Sequence, residues 1–280
     1  MVDAASPPMS RLLGSCVADG QCPGNGAFCR TAQQGYPLGM CTVPCTDRTA
    51  CDDGAIYNTC ATLRGETMMT CIPYCRNAAD CRPGYTCQVT SAQGAPQMEG
   101  YCIPVCASDA ECGGTSQCDP YTGRCVAQGM VGTTGALTGE MCNSNADCRS
   151  GQCRLSEENG NYTGYVHGYC ESLCRIPSGY NTSNFFSGDT LPQGSCAGNA
   201  VCIPGGNEEG VNDLGVCLAS CMSASDCRPG YTCSQNPSGN HTFSNGFCVP
   251  MDCMRQGACP TGFTCHAAQD AQGNAYGICG

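Results

Sequence analysis

The thirty-two cysteines of this chain fall into eight successive groups of four, opening at Cys16, Cys45, Cys75, Cys106, Cys142, Cys174, Cys221 and Cys253. Two disulfides can close inside each group. The chain therefore reads as a series of small stapled modules rather than one domain around one core. A module of about 30 residues buries too little surface to fold without cross-links, and apolar bulk is scarce here, with no Trp and 6 Phe. The bridges substitute for the missing core. Closing a loop of about 15 residues contributes about 3 kcal/mol in the chain-entropy model.

So many structural disulfides require an oxidising compartment, outside the cell or at its surface. No apolar run approaches the ~18 residues of a membrane span, so no direct membrane insertion is expected. The opening stretch MVDAASPPMSRLLGS lacks the basic-then-apolar order of a secretory signal, so the leader is expected to be absent from this chain. The net charge of −11 arises from 23 acids and 12 bases, every base being Arg. Diffuse negative charge argues against nucleic acid or an anionic membrane as partner. A protein partner, including another copy of the chain, is the expectation that remains.

The groups share the spacing C-x5-C-x4–8-C-x6–16-C, and a fixed repeat takes precedence over any other reading of a fold. They define an N-terminal tail 1–15, modules 16–44, 45–74, 75–105 and 106–125, a linker 126–141, and modules 142–173, 174–220, 221–252 and 253–280. The third and seventh modules nearly superimpose, as CRNAADCRPGYTC and CMSASDCRPGYTC. An acid precedes the second cysteine at Asp80, Glu111, Asp147 and Asp226, which predicts a capped helical turn. Capping suits these acids better than calcium ligation, because no D-x-D-x-D run gathers several ligands in one loop. Pro83-Gly84 and Pro229-Gly230 predict type II turns, followed by aromatics at Tyr85, Tyr231 and Phe263 placed to cover a disulfide. The Gly-rich stretches before each fourth cysteine read as β-hairpin tips. Short proline connectors, such as CIPYC at 71–75 and CIPVC at 102–106, leave little hinge freedom and predict modules stacked on their neighbours. The fold class expected is small and disulfide-rich: eight tandem modules of short β-hairpins and turns, little helix, in an elongated rod-like array.

Two places break the rhythm. The linker 126–141 divides the modules four and four, with Gly14 and Gly139 similarly placed before Cys16 and Cys142; a duplicated four-module block and an ordinary loop insertion both fit. The sixth module carries the insertion 175–195 with the adjacent Phe185 and Phe186, a candidate contact surface whose competing reading is local packing over a disulfide.

Catalytic, metal and cofactor sites are not expected. Zinc, iron–sulfur and thioredoxin-like chemistry favour C-x2-C pairs, which are absent, and His167, His241 and His266 fall in three different modules. Asn161, Asn181 and Asn240 head N-x-[ST] sequons, glycan sites in a eukaryotic secretory pathway and chance in a bacterium.

The string C-x4-D-C-R-P-G-Y-T-C with a later G-[aromatic]-C-[IV]-P resembles the cysteine-rich repeat of secreted and surface proteins of myxobacteria and related bacteria. It also resembles the Dickkopf amino-terminal cysteine-rich domain and, more loosely, epidermal growth factor-like modules; the match spans 16–279. Spacing alone permits three pairings per module. The likeness to growth factor-like modules implies first with third and second with fourth. That gives Cys16–Cys29, Cys22–Cys41, Cys45–Cys60, Cys51–Cys71, Cys75–Cys87, Cys81–Cys102, Cys106–Cys118 and Cys112–Cys125 in the first half. In the second half it gives Cys142–Cys153, Cys148–Cys170, Cys174–Cys202, Cys196–Cys217, Cys221–Cys233, Cys227–Cys248, Cys253–Cys265 and Cys259–Cys279. The functional expectation is a non-enzymatic extracellular stalk, spacer or fibre subunit. Adhesion or receptor recognition through 175–195 and the hairpin tips is the second expectation, and a multi-headed protease inhibitor the third.

Overall fold

The computed structural model describes residues 12–51, 58–63, 66–89, 100–181, 185–186, 188–204, 211–235, 242–269 and 273–280. All thirty-two cysteines are paired in sixteen disulfides, first with third and second with fourth in every module. This is the pairing that the resemblance implies.

The hairpin explains how two bridges close in so little chain. In seven modules the third and fourth cysteines stand directly opposite one another on antiparallel strands, as Cys87 does to Cys102 and Cys233 to Cys248. Opposed residues project from the same face. Both sulfurs therefore meet the preceding loop, which carries the first and second cysteines.

That loop is a single 3-10 turn in several modules, at Ala78–Asp80, Asp109–Glu111, Asn145–Asp147 and Ala224–Asp226. Asn77 with Asp80, Ser144 with Asp147, and Ser223 with Asp226 form reciprocal capping boxes, satisfying backbone N–H groups that a short turn leaves over. The Asp226 carboxylate accepts from the backbone of Met222 and Ser223 at 2.8 Å each. Those bonds hold its pKa below the ordinary value, and the backbone of Asn143 and Ser144 does the same for Asp147. Further 3-10 turns stand at Asp19–Gln21, Ala32–Gln34 and Arg48–Cys51, and α-helix is confined, among the described residues, to Cys253–Gln256.

The proline connectors are strands. Thr70–Cys75 runs through the junction of the second and third modules and joins their hairpins into one four-stranded sheet, ordered Asn58–Ala61, Thr70–Cys75, Gly100–Pro104, Tyr85–Val89. Leu214–Cys221 does the same for the sixth and seventh modules, within the five-stranded sheet of Ser172–Arg175, Ala200–Pro204, Leu214–Cys221, Tyr231–Ser234 and Gly246–Pro250.

The chain divides into two compact units, Met1–Val131 with Pro204–Leu214, and Gly132–Ile203 with Gly215–Gly280. The division falls inside the 126–141 linker. In the first unit, Asn212 and Asp213 are held to the third module: Asp213 accepts from the Ala78 N–H at 2.6 Å and the Asn212 carbonyl accepts from Thr86.

Besides these joints between neighbours, contacts within each unit link modules that are not adjacent in sequence. The third module seats on the first and the seventh on the fifth, through the same residues. Arg82 donates to the Gly39 carbonyl and to the Tyr85 hydroxyl, while Tyr85 donates to the Pro37 carbonyl at 3.3 Å. Arg228 donates to the Gly168 carbonyl and to the Tyr231 hydroxyl, while Tyr231 donates to the Val166 carbonyl at 3.3 Å. In both seats the guanidinium lies 4.3 Å from the tyrosine ring centroid. The type II turns expected at Pro83-Gly84 and Pro229-Gly230 aim these side chains: Gly84 and Gly230 have φ of 84° and 89°, and Tyr85 and Tyr231 donate backwards across the turn. Tyr231 also packs among Cys221 and Cys248, so it covers a disulfide and reaches a second module at once.

The accepting loops match in detail. Leu38 and His167 have φ of 55° and 58°, and each accepts from the first cysteine of its unit, Cys16 or Cys142. Gly39 and Gly168 follow; a Cβ there would lie 1.8 or 2.0 Å from the carbonyl oxygen of that same cysteine. The fourth module also packs on the first, and the eighth on the fifth: Gly35 faces Arg124, and Gly164 faces Ile278. Arg124 and Ile278 each precede the last cysteine of their unit. The contacts of the third and fourth modules on the first are thus repeated by the seventh and eighth on the fifth.

Candidate contact site

The sequence marks the 175–195 insertion as the contact surface, and Phe186 does not serve there. It is 3% exposed and packs with Leu191, Val201, Ile203, Phe243 and Phe247. Its ring lies 5.6 Å from Tyr180 and 6.5 Å from Phe243, edge-on to both. The chain beside it is sewn to the seventh module, where Ser244 donates to the Asp189 carbonyl at 2.7 Å and Leu191 to the Asn245 side chain at 2.6 Å. A phenylalanine in a disulfide-rich chain finds more apolar surface inward than outward, and local packing wins. The Phe185 side chain lies outside the described residues.

The sequons are separated. Asn161 is exposed on the hairpin of Glu157–Glu158 and Asn161–Tyr162, beside the left-handed pair Asn159 and Gly160. The Asn181 side chain and all of Asn240 lie outside the described residues, as does His241. His167 is exposed and meets the Phe263 ring edge-on at 4.7 Å; His266 stacks on Tyr162 at 4.2 Å. The two histidines serve the contact between fifth and eighth modules rather than a shared site.

Cysteine sulfurs gather in threes within 4.8 Å, for example Cys16, Cys22 and Cys41. Each is half of a disulfide, so these groups offer no thiolate to a metal.

One ionic cluster is buried and spans the first and second modules. Arg30, 5% exposed, pairs with Glu66 and donates to Tyr36, whose hydroxyl donates to Glu66 at 2.8 Å. Burial opposes the Glu66 charge, yet hydrogen bonds from Arg30 and Tyr36 outweigh it and hold the carboxyl below its ordinary range. Burial raises the Tyr36 phenol well above its usual value. Burial likewise lifts Tyr85 to about 12 and pushes the Arg228 guanidinium down. These groups lie in contacts between modules, and their shifts follow from being locked there.

Concave surface among the described residues includes two clefts. In the first unit a cleft of about 520 Å³ lies between the first and fourth modules, walled by Val17, Gln33, Leu38 and the run Cys112–Ser116. Its lining carries no charged side chain. Val17 and Leu38 are 77% and 43% exposed, unusual for apolar residues beside a concavity. In the second unit a cleft of about 620 Å³ is lined by Glu140, Met141, Tyr169, Arg228 and Tyr231. The sequence gives no signal for either, because each is formed by residues far apart along the chain. Both have the size of ligand pockets, and neither brings a nucleophile to a base.

No protein-family model, curated protein or solved structure matches this chain.

Proposed function

We propose that this chain is a non-enzymatic structural protein of an oxidising, extracellular setting, acting as a disulfide-stapled stalk, spacer or fibre subunit at a cell surface. The observation that supports this reading best is the repeated seat of Arg82–Tyr85 and Arg228–Tyr231. It uses the same arginine and tyrosine pair twice to fix modules to one another. The strand connectors remove the hinges a flexible tether would need. The likeness to bacterial secreted cysteine-rich repeats agrees with such a role.

Limited proteolysis of the oxidised chain tests rigidity. Survival of each four-module block is expected, and rapid cutting inside the modules would end the proposal. Light scattering and electron microscopy then separate a fibre subunit from a solitary spacer: a dispersed monomeric particle counts against self-assembly. Recognition of a partner through the 175–195 insertion and the hairpin tips is the second reading, with Phe186 itself buried.

A further inference from the structure

The cleft between the first and fourth modules lies where the fourth module departs from its counterpart, the eighth. The position two residues before the third cysteine is aromatic in three modules, as Tyr85, Tyr231 and Phe263, and is Ala27, Asn58, Ser116, Gly151 or Ala200 in the others. Ser116 against Phe263 is the difference that bears on the cleft. The eighth module docks on the fifth as the fourth docks on the first, through Ile278 on Gly164 and Arg124 on Gly35. In the second unit the Phe263 ring therefore lies edge-on against His167. In the first unit Leu38 stands where His167 does, with the same left-handed backbone, and Ser116 supplies no ring to meet it. A second aromatic is lost nearby: Tyr162, eight residues before the fourth cysteine of its module, is matched by Gln33.

What remains is the 520 Å³ cleft, lined by both Gln33 and Ser116. Ser116 is 6% exposed, with its hydroxyl buried, while the rim residues Val17 and Leu38 hold apolar surface in water.

From this correspondence we infer that the cleft is a binding site for an aromatic side chain, phenylalanine or tyrosine, carried on an uncharged stretch of a partner protein. The second unit shows the ring in place. The uncharged lining selects against an ionised neighbour, and the volume accommodates one ring with its flanking peptide groups. This goes beyond a spacer role, for it gives the first unit a socket that the second unit fills from its own chain.

The test titrates N-acetylphenylalaninamide, with N-acetylleucinamide as control, into the full oxidised chain while methyl NMR signals are followed. Saturable shifts of Val17 and Leu38 are expected at millimolar concentrations, the order for a ligand of this size. The phenylalanine probe should bind several-fold tighter, because ring–surface geometry adds to area burial. Ring-to-methyl NOEs to Val17 and Leu38 locate the ring without any variant. Ser116→Phe should abolish the shifts by filling the socket, and Phe263→Ser should open a matching site reported by Val166. Equal binding of the two probes, NOEs to other residues only, or shifts that persist in Ser116→Phe would overturn the assignment. Concentration-dependent shifts of the same methyls without probe would give the cleft to a second copy and overturn it too.

Discussion

Removing Arg82 should release the third module from the first without unfolding either. Each module keeps its two disulfides, so the event is local opening rather than global unfolding. Arg82 donates to the carbonyls of Gly39 and Pro37, the latter at 3.2 Å, to the Ser15 hydroxyl at 2.8 Å and to the Tyr85 hydroxyl at 2.5 Å. Its guanidinium also faces the Tyr85 ring at 4.3 Å. A hydrogen bond from a charged donor is worth about 1.5–3 kcal/mol net and a partly desolvated cation–π contact about 1 kcal/mol. The bonds share one side chain, so they do not add fully. Arg82→Ala should cost about 3 kcal/mol of docking, a factor of about 100 in the opening equilibrium. Amide hydrogen exchange reads this directly at Cys16, whose N–H is held by the Leu38 carbonyl inside the accepting loop. Arg228→Ala should raise exchange at Cys142, held by His167, by a similar factor. Arg82→Lys should recover only part of the loss, since a lysine cannot present a planar fork to ring and carbonyls together. Unchanged protection at Cys16 in Arg82→Ala would refute the claim that this seat holds the modules. So would a loss at one seat with none at the other.

Other consequences are as direct. Phe186→Ala should destabilise the second unit by about 3–5 kcal/mol, seen as a lower thermal midpoint under non-reducing conditions; an unchanged midpoint would return Phe186 to the surface. The Glu66 pKa is depressed in the folded chain, so its stabilisation is present above the unfolded value near 4.3 and is lost as pH falls through the folded one. Acid should thus loosen the contact between first and second modules, and Glu66→Gln should flatten that pH dependence in proteolysis or hydrogen exchange. Replacing Cys174 and Cys202 by Ala opens the widest loop, of sequence separation 28, and should cost about 3–4 kcal/mol, measured by denaturant unfolding of the otherwise oxidised chain.

Local features were legible in the sequence. The acids before the second cysteines announce their capping turns because a cap and its partner are three residues apart. Pro-Gly announces its turn for the same reason. The seats were not legible, since the string RPGY specifies the bend but not the loop 40 or more residues away that receives the tyrosine. Phe186 drew attention as apolar surface because its partners are spread from Leu191 in its own module to Phe243 and Phe247 in the next. The cleft was not legible either: Ser116 stands where the eighth module has Phe263, but the meaning of that difference depends on how the fourth module docks.

The crossed pairing of each module also sets how the chain would carry a load. Tension entering the third module at Cys75 takes the shortest covalent route, along the backbone of the first loop to Cys81 and out through the bridge to Cys102. The bridge from Cys75 to Cys87 only ties the hairpin to that route. The stretch from Cys81 to Cys87 and the hairpin, tip included, are slack passengers, and the next covalent segment is the short connector to Cys106. An oxidised chain is therefore nearly inextensible along its covalent path, and a reductant would lengthen it module by module without cutting a peptide bond.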